Sequence, residues 1–341
     1  MQQTKSEGAN PIKRYWALVP AFAAGILAGY FLKAVHPLPQ ADAGDDVEVR
    51  QEGYQLINPL LECEKSEGRL NVLIRSFKDG LVALDASSRK SGTITGSALY
   101  FRDMNNGPWF GINENQKFRP ASLLKIPIAM SFYKAAEEDP SILSRKLKYE
   151  KEVPLPPDRI QAIVPQQQIQ LGREYTVDYL IEAMIRHSDN QALFLLFGAI
   201  PGTYLTELYK ALGVEKDVLE KIDGTLSIRS FATFYRILFN ASYLSRRNSE
   251  KLLRHLSQSE FNEGLVAGVP AGTVVSHKYG EGGTLGGERQ LQDCGVIYYS
   301  RRPYLLCVMA KGGSLERLEA YIKSVSAYVY KEVDRSVKAS R

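Results

Sequence analysis

Ser122 and Lys125 lie three residues apart in the stretch KFRPASLLKIPIAM, at the start of an apolar run. Residues at positions i and i+3 share one face of a helix, so the lysine amine can lie beside the serine hydroxyl. Serine is a weak nucleophile unless a base accepts its proton, and a partly desolvated lysine can do so. The spacing alone is not specific, because Ser87-Ser88-Arg89-Lys90 repeats it in a polar helix end, where a surface role suffices.

Two further polar motifs follow in the chain. Ser188-Asp189-Asn190 joins two apolar helical patterns, the first capped by Thr176. These residue types favour turns, but they also offer a hydroxyl that can relay a proton and an amide that can hold a carbonyl. Lys278-Tyr279-Gly280 ends a strand pattern. There the lysine is either an edge residue or a positive charge for a carboxylate, and the glycine permits close approach of another backbone.

The elements around these motifs predict an α+β fold. Residues 69–88 read as a helix, and residues 96–115 as a hairpin that turns at Asn106-Gly107. A mainly helical segment follows from 118 to 265, then three strands and a helix capped by Ser314. We expect one antiparallel sheet built from both chain ends, with the helical segment inserted between them.

The N-terminal region predicts a membrane anchor. Residues 15–32 contain eighteen residues without a charge, preceded by Lys13 and Arg14 and followed by an acidic stretch. The expected order is a cytoplasmic tail (1–14), one transmembrane helix (15–33), a linker (34–57), a domain (58–335) and a short tail (336–341). A signal peptide cleaved near residues 41–43 is the alternative. Either way, the domain works outside the cytoplasm.

Composition excludes several other functions. The 341 residues carry a net charge of +5 without basic blocks, so we expect no nucleic-acid partner. The four histidines lack metal-ligand spacing, so no metal or organic cofactor is implied. Cys294 and Cys307 lie in successive strands, where a shift of one pair in register would separate them; free thiols are the expectation. A monomer is expected.

Taken together, S-x-x-K, S-D-N and K-x-G in this order resemble the penicillin-recognising serine hydrolases, and within them the class A β-lactamases, over residues 65–335. The resemblance implies that Ser122 is the acylated nucleophile and Lys125 its base or proton relay. It further implies that Ser188 relays a proton and that Lys278 attracts a substrate carboxylate. The implied substrate contacts are Asn190, Gly280 and the backbone N–H of Glu281, which would share an oxyanion hole with that of Ser122.

The chain departs from the family pattern at two points. Tyr279 replaces the small hydroxyl residue that binds a substrate carboxylate, and Arg289 and His277 are candidate replacements. The E-x-x-L-N loop that supplies a deacylating glutamate is absent, and Glu215 and Glu220 are the nearby carboxylates. The resemblance therefore implies a serine hydrolase acylated by β-lactams or related cell-wall amides. A D,D-peptidase on D-Ala-D-Ala peptides and a non-catalytic protein that binds cell wall or a partner are the alternatives.

Overall fold

The computed structural model describes residues 47–50, 53–64, 70–105, 108–155, 161–212, 225–283, 287–300 and 302–339. The expected anchor at 15–33, the Asn106-Gly107 turn, Glu215 and Glu220 lie outside these ranges. No helix within them is long and apolar enough to cross a membrane.

A five-stranded antiparallel sheet forms the centre of the domain, with strand order β4-β3-β11-β10-β9. Its strands are β3 (Gly96–Asp103), β4 (Trp109–Ile112), β9 (Val275–Gly283), β10 (Arg289–Ile297) and β11 (Tyr304–Gly312). Short two-stranded pairs are formed by β1 (Val47–Arg50) with β2 (Leu60–Glu64), β5 (Lys117–Phe118) with β8 (Leu226–Ser227), and β6 (Lys146–Lys148) with β7 (Glu174–Thr176). The central sheet thus joins the early hairpin to the three late strands, as the sequence predicts.

Most of the helices lie between the two groups of strands. The helices are α1 (Leu70–Lys90), α2 (Lys125–Glu138), α3 (Ser141–Ser144), α4 (Val177–Arg186), α5 (Asn190–Phe197), α6 (Tyr204–Ala211), α7 (Ile228–Phe239), α8 (Arg246–Ser257) and α9 (Leu315–Ala339). The predicted cap is confirmed, since the Thr176 side chain accepts a hydrogen bond from Tyr179 N at the start of α4. Asp189 caps α5 in the same way.

Two hydrophobic cores lie on the two faces of the sheet, because successive side chains of a strand point to opposite faces. On β3, Ala98 and Tyr100 join the core shared with the inserted helices. Leu99 and Phe101 join the core shared with α1 and α9. Lys278, which pairs with Cys294, therefore faces the inserted helices, whereas the neighbouring Tyr279 ring belongs to the core covered by the terminal helices.

The two strand cysteines are joined, contrary to the expectation of free thiols. Cys294 of β10 and Cys307 of β11 are direct partners in the strand register, and the structure bonds them as a disulfide. The sequence could not fix this pairing, because a shift of one residue would turn one of the side chains to the other face. The unshifted register makes the disulfide possible.

Candidate active site

The nucleophile turn, residues 119–124, leads into α2. A 3₁₀ turn spans Ala121–Leu124, and Ala121 has a left-handed φ of 47°. The side-chain amides of Gln290 and Gln292 on β10 both donate to the Arg119 carbonyl and so tie the turn to the sheet. Ser122 is partly exposed, and its hydroxyl makes no hydrogen bond to the residues that the structure describes. It is therefore accessible to a substrate.

Gly280 lets strand β9 approach this turn closely. A methyl group placed on Gly280 would lie 3.0 Å from the Pro120 carbonyl oxygen and 3.2 Å from the Ser122 nitrogen. Both distances are tighter than ordinary carbon contacts with backbone atoms, so any larger residue would push the turn away. Steric crowding thus explains why the third position of K-x-G is glycine. The absence of a side chain there lets the edge strand lie next to the Ser122 backbone N–H.

Lys125 points into the protein and is fully buried. Its amine Nζ donates to the Ser188 carbonyl at 2.6 Å, to Ser188 Oγ at 3.0 Å and to Asn190 Oδ1 at 2.8 Å. Burial, reinforced by the positive charge of Lys278, lowers the pKa of Lys125 well below its ordinary value. A lysine with a lowered pKa is a stronger candidate base, because more of it is unprotonated near neutral pH.

The S-D-N turn presents Ser188 to both lysines. Ser188 is buried and adopts a left-handed φ of 57°. From β9, Lys278 Nζ donates to Ser188 Oγ at 3.0 Å and to the Tyr279 carbonyl at 3.1 Å. Burial lowers the pKa of Lys278 to about 7. Asp189 holds the turn, accepting from the backbone of α5 and, at 2.8 Å, from Ile169 N.

Tyr279, which departs from the family pattern, and the candidate replacement His277 lie on β9, and the other candidate, Arg289, begins the neighbouring strand β10. The Tyr279 ring is buried, stacks on Phe261 at 4.4 Å between ring centroids and lies 4.1 Å from the Lys278 amine. His277 is also buried, with Nδ1 2.8 Å from Asp293 Oδ1. Arg289 Nη2 lies 3.6 Å from Glu281 Oε2. His277 Nδ1 is therefore engaged by Asp293, and the Arg289 guanidinium is ion-paired with Glu281 through one of its nitrogens.

A segment that the sequence analysis missed borders the site. Gln161 Oε1 accepts a hydrogen bond from Asn190 Nδ2 at 2.7 Å. The next two residues, Ala162 and Ile163, donate their backbone N–H groups to the Glu281 carboxylate at 3.1 and 2.9 Å. Nothing in the sequence signals these contacts, because the region carries no helical or strand pattern and its partners are distant in the chain.

The fold brings six of the predicted site residues together, although they come from three distant parts of the chain. Lys125, Ser188, Asn190 and Lys278 form one hydrogen-bonded cluster, Ser122 precedes it by one helical turn, and Gly280 touches the Ser122 backbone. Within the described part of the chain, no group of three or more His, Cys, Asp or Glu side chains could hold a metal ion. A serine one helical turn from a lysine with a lowered pKa is a chemically suitable arrangement for acyl transfer.

Comparison with known proteins gives the family. A model of the Beta-lactamase enzyme family matches residues 83–333. The chain belongs to this family and so to the penicillin-recognising serine hydrolases. A search of curated proteins finds no match.

Solved structures with the same fold include PBP-A, at 25% identity and a TM-score of 0.61, covering 75% of this chain and 97% of that one. A mutant of PBP-A, solved as the acyl-enzyme complex with penicillin G, has 24% identity and a TM-score of 0.62, with 80% and 100% covered. A β-lactamase from Chitinophaga pinensis has 17% identity and a TM-score of 0.63, with 76% and 99% covered. The fold is thus shared with β-lactamases and with PBP-A.

Proposed function

We propose that the protein is a serine hydrolase whose Ser122 is acylated by β-lactams or related cell-wall amides. The observation that carries the proposal is the cluster in which Lys125 and Lys278 both donate to Ser188 Oγ, one helical turn from Ser122. The likeness to PBP-A, which has been captured with penicillin G as an acyl-enzyme, adds support.

The chemistry follows from these contacts. Ser122 Oγ attacks the amide carbon, and its proton passes to the unprotonated Lys125 amine. The developing oxyanion is stabilised by the backbone N–H groups of Ser122 and Glu281. The carbon–nitrogen bond then breaks as Ser188 gives its proton to the leaving nitrogen and regains one from a lysine. The products are an ester on Ser122 and a free amine.

Hydrolysis of that ester is the step that separates a β-lactamase from a D,D-peptidase. Without an E-x-x-L-N motif, the chain lacks the usual signal for a base that activates the deacylating water. We therefore infer slow deacylation, which favours a peptidase-like enzyme over a fast β-lactamase. A non-catalytic binding protein is the weaker alternative, because Lys125, Ser188, Asn190 and Lys278 are all retained and joined by hydrogen bonds.

Intact-mass spectrometry and turnover assays on the full-length protein test these functions. We expect a fluorescent penicillin to give a long-lived adduct on Ser122 and a chromogenic cephalosporin to be turned over slowly. Ser122→Ala should abolish both, whereas Ser87→Ala should change neither, since Ser87 belongs to the other S-x-x-K and is exposed at the end of α1. Fast cephalosporin turnover would instead support a β-lactamase. If Ser122→Ala and the wild type behave alike, both enzymatic functions are wrong.

We also propose that the protein is anchored in the membrane by residues 15–33, with its catalytic domain outside the cytoplasm. The uncharged stretch after Lys13 and Arg14 supports this, as does the Cys294–Cys307 disulfide, since disulfides persist in oxidising compartments. The full-length protein should sediment with membranes and be digested by protease added to the outside of intact cells. Recovery in the soluble cytoplasmic fraction would contradict the proposal.

A further inference from the structure

The edge of β9 is where a substrate carboxylate would be expected, and the cationic side chains there, Lys278 and Arg289, each contact another group of the protein. The Lys278 amine donates hydrogen bonds to Ser188 Oγ and to the Tyr279 carbonyl. The Tyr279 phenol takes the place of a small hydroxyl, and its ring packs on Phe261. Burial further limits the Lys278 charge, because it lowers the pKa of that amine to about 7.

The cation Arg289 at this edge forms an ion pair with Glu281. The Glu281 side chain is 7% exposed and lies 3.6 Å from the Arg289 guanidinium. The same carboxylate accepts the backbone N–H groups of Ala162 and Ile163, which fix it in place beside the strand. A substrate carboxylate would have to compete with a fixed protein carboxylate for the same cation, and the two negative charges would repel each other.

The surroundings of this edge add further negative charge. A cavity of about 410 Å³ adjoins Tyr279 and the segment at Ala162 and Ile163, and Glu260, Glu263 and Glu319 line it. The two basic side chains of the lining are both engaged within the protein, Arg186 by Glu182 and His187 by Glu260. Burial and the charges of neighbouring glutamates, Glu281 among them, raise the pKa of Glu319. The field along this edge thus disfavours an incoming anion.

We propose that the site selects amides whose end beside β9 is uncharged, with Glu281 as the residue that determines this specificity by holding Arg289. This inference rests on the acylation of Ser122 proposed above and names the substrate class of that site. The corresponding substrates are internal peptide amides, or chain ends whose carboxylate is amidated or esterified. A peptide that ends in a free acid should react no faster than its C-terminal amide.

The test compares benzylpenicillin with its methyl ester. The second-order rate of adduct formation on Ser122 is measured for each by intact-mass spectrometry on the full-length protein. Each rate is divided by the rate at which hydroxide opens the same compound, which removes the difference in intrinsic reactivity. For the wild type we expect a corrected acid-to-ester ratio of about 1 or lower. The cation at this edge is already paired, so it does not attract the carboxylate of the acid more strongly than the ester group.

Removing the Glu281 charge should reverse this preference. Glu281→Gln releases Arg289, so the acid-to-ester ratio should rise about tenfold. Adding Arg289→Gln to that variant should return the ratio to the wild-type value. The matched control is Glu332→Gln, which breaks another glutamate–arginine pair, with Arg335, more than three helical turns along α9 from Glu319. It should leave the ratio within about twofold.

The outcomes separate the two proposals. A wild-type ratio of about ten or more, or a ratio that does not change in Glu281→Gln while Ser122 is still acylated, overturns the specificity inference alone. If neither compound forms an adduct on Ser122, the proposed acylation fails and the inference fails with it. Thermal unfolding of each variant is recorded in parallel, and only variants that unfold at a temperature near that of the wild type enter the comparison of ratios.

Discussion

At the scale of single residues, the site depends on one hydroxyl that serves two amines. A serine hydroxyl has two acceptor positions and one proton. Because Ser188 Oγ accepts from both Lys125 and Lys278, its own proton is left to donate. Ser188 is thus oriented to give a proton to a leaving nitrogen.

Protonating both Lys125 and Lys278 at once is energetically unfavourable. Each is completely buried, and each lies within 3.0 Å of the same oxygen. Burial is the largest cause of the lowered pKa at both, and the charge of Lys278 lowers the pKa of Lys125 further. The pair therefore favours a state with one proton fewer, in which Lys125 can act as a base while Lys278 remains a donor.

At the scale of elements, the contact between β9 and the nucleophile turn sets the geometry. Gly280→Ala would place a methyl group 3.0 Å from the Pro120 carbonyl and 3.2 Å from the Ser122 nitrogen. We expect the turn to be pushed away from the strand, which misplaces the Ser122 N–H and lowers the acylation rate about 100-fold. The expected loss in free energy of unfolding is smaller, about 1–3 kcal/mol.

Gly282→Ala is the matched control on the same strand. A methyl group there would meet only the Gln290 Cβ at 4.0 Å, an ordinary contact. Its acylation rate by penicillin should stay within about twofold of the wild type. Stopped-flow fluorescence and thermal unfolding of both variants make the comparison. Equal acylation rates for the two alanine variants would show that the close approach at Gly280 does not matter for acylation.

The sequence predicted most elements and the motif residues, because these depend on local patterns. Strand alternation and helix caps, such as Thr176, are encoded within a few residues, and the three motifs are recognisable by type and spacing. It did not predict the Gln161–Asn190 contact or the ties between Glu281 and the segment after Gln161. Such contacts join irregular segments that are distant in the chain, and no periodic pattern records them.

Strand register was similarly out of reach of the sequence. Cys294 and Cys307 lie in strands that were recognised, but their pairing depends on which residues of β10 and β11 oppose each other. That register is set by the whole sheet, since slipping by one residue would turn every side chain to the other face. The partner of Arg289 was missed for a related reason. Glu281 lies on the neighbouring strand β9, and only the register between β9 and β10 places it beside Arg289.

At the scale of the whole molecule, burying the lysine of K-x-G lowers the stability of the fold. The pKa of Lys278 falls from its ordinary value of 10.5 to about 7 in the folded protein. Between these two pH values the unfolded chain binds a proton that the folded protein lacks, so the free energy of unfolding rises with pH across this window. Below pH 7 the full penalty remains. Proteins are often less stable with their polar active-site residues than with apolar residues at the same positions.

Lys278→Met should therefore unfold at a higher temperature than the wild type at pH 7 while losing acylation. Methionine fills a similar volume without a charge to desolvate, and Lys125 still donates to Ser188. The advantage of the variant should shrink by up to about 1.4 kcal/mol per pH unit as the pH rises from 7 towards 10. Chemical denaturation at several pH values measures it, and the exposed Lys331→Met on α9 should show no such trend. A stability difference that is constant over this range would mean that Lys278 keeps its proton in the folded protein.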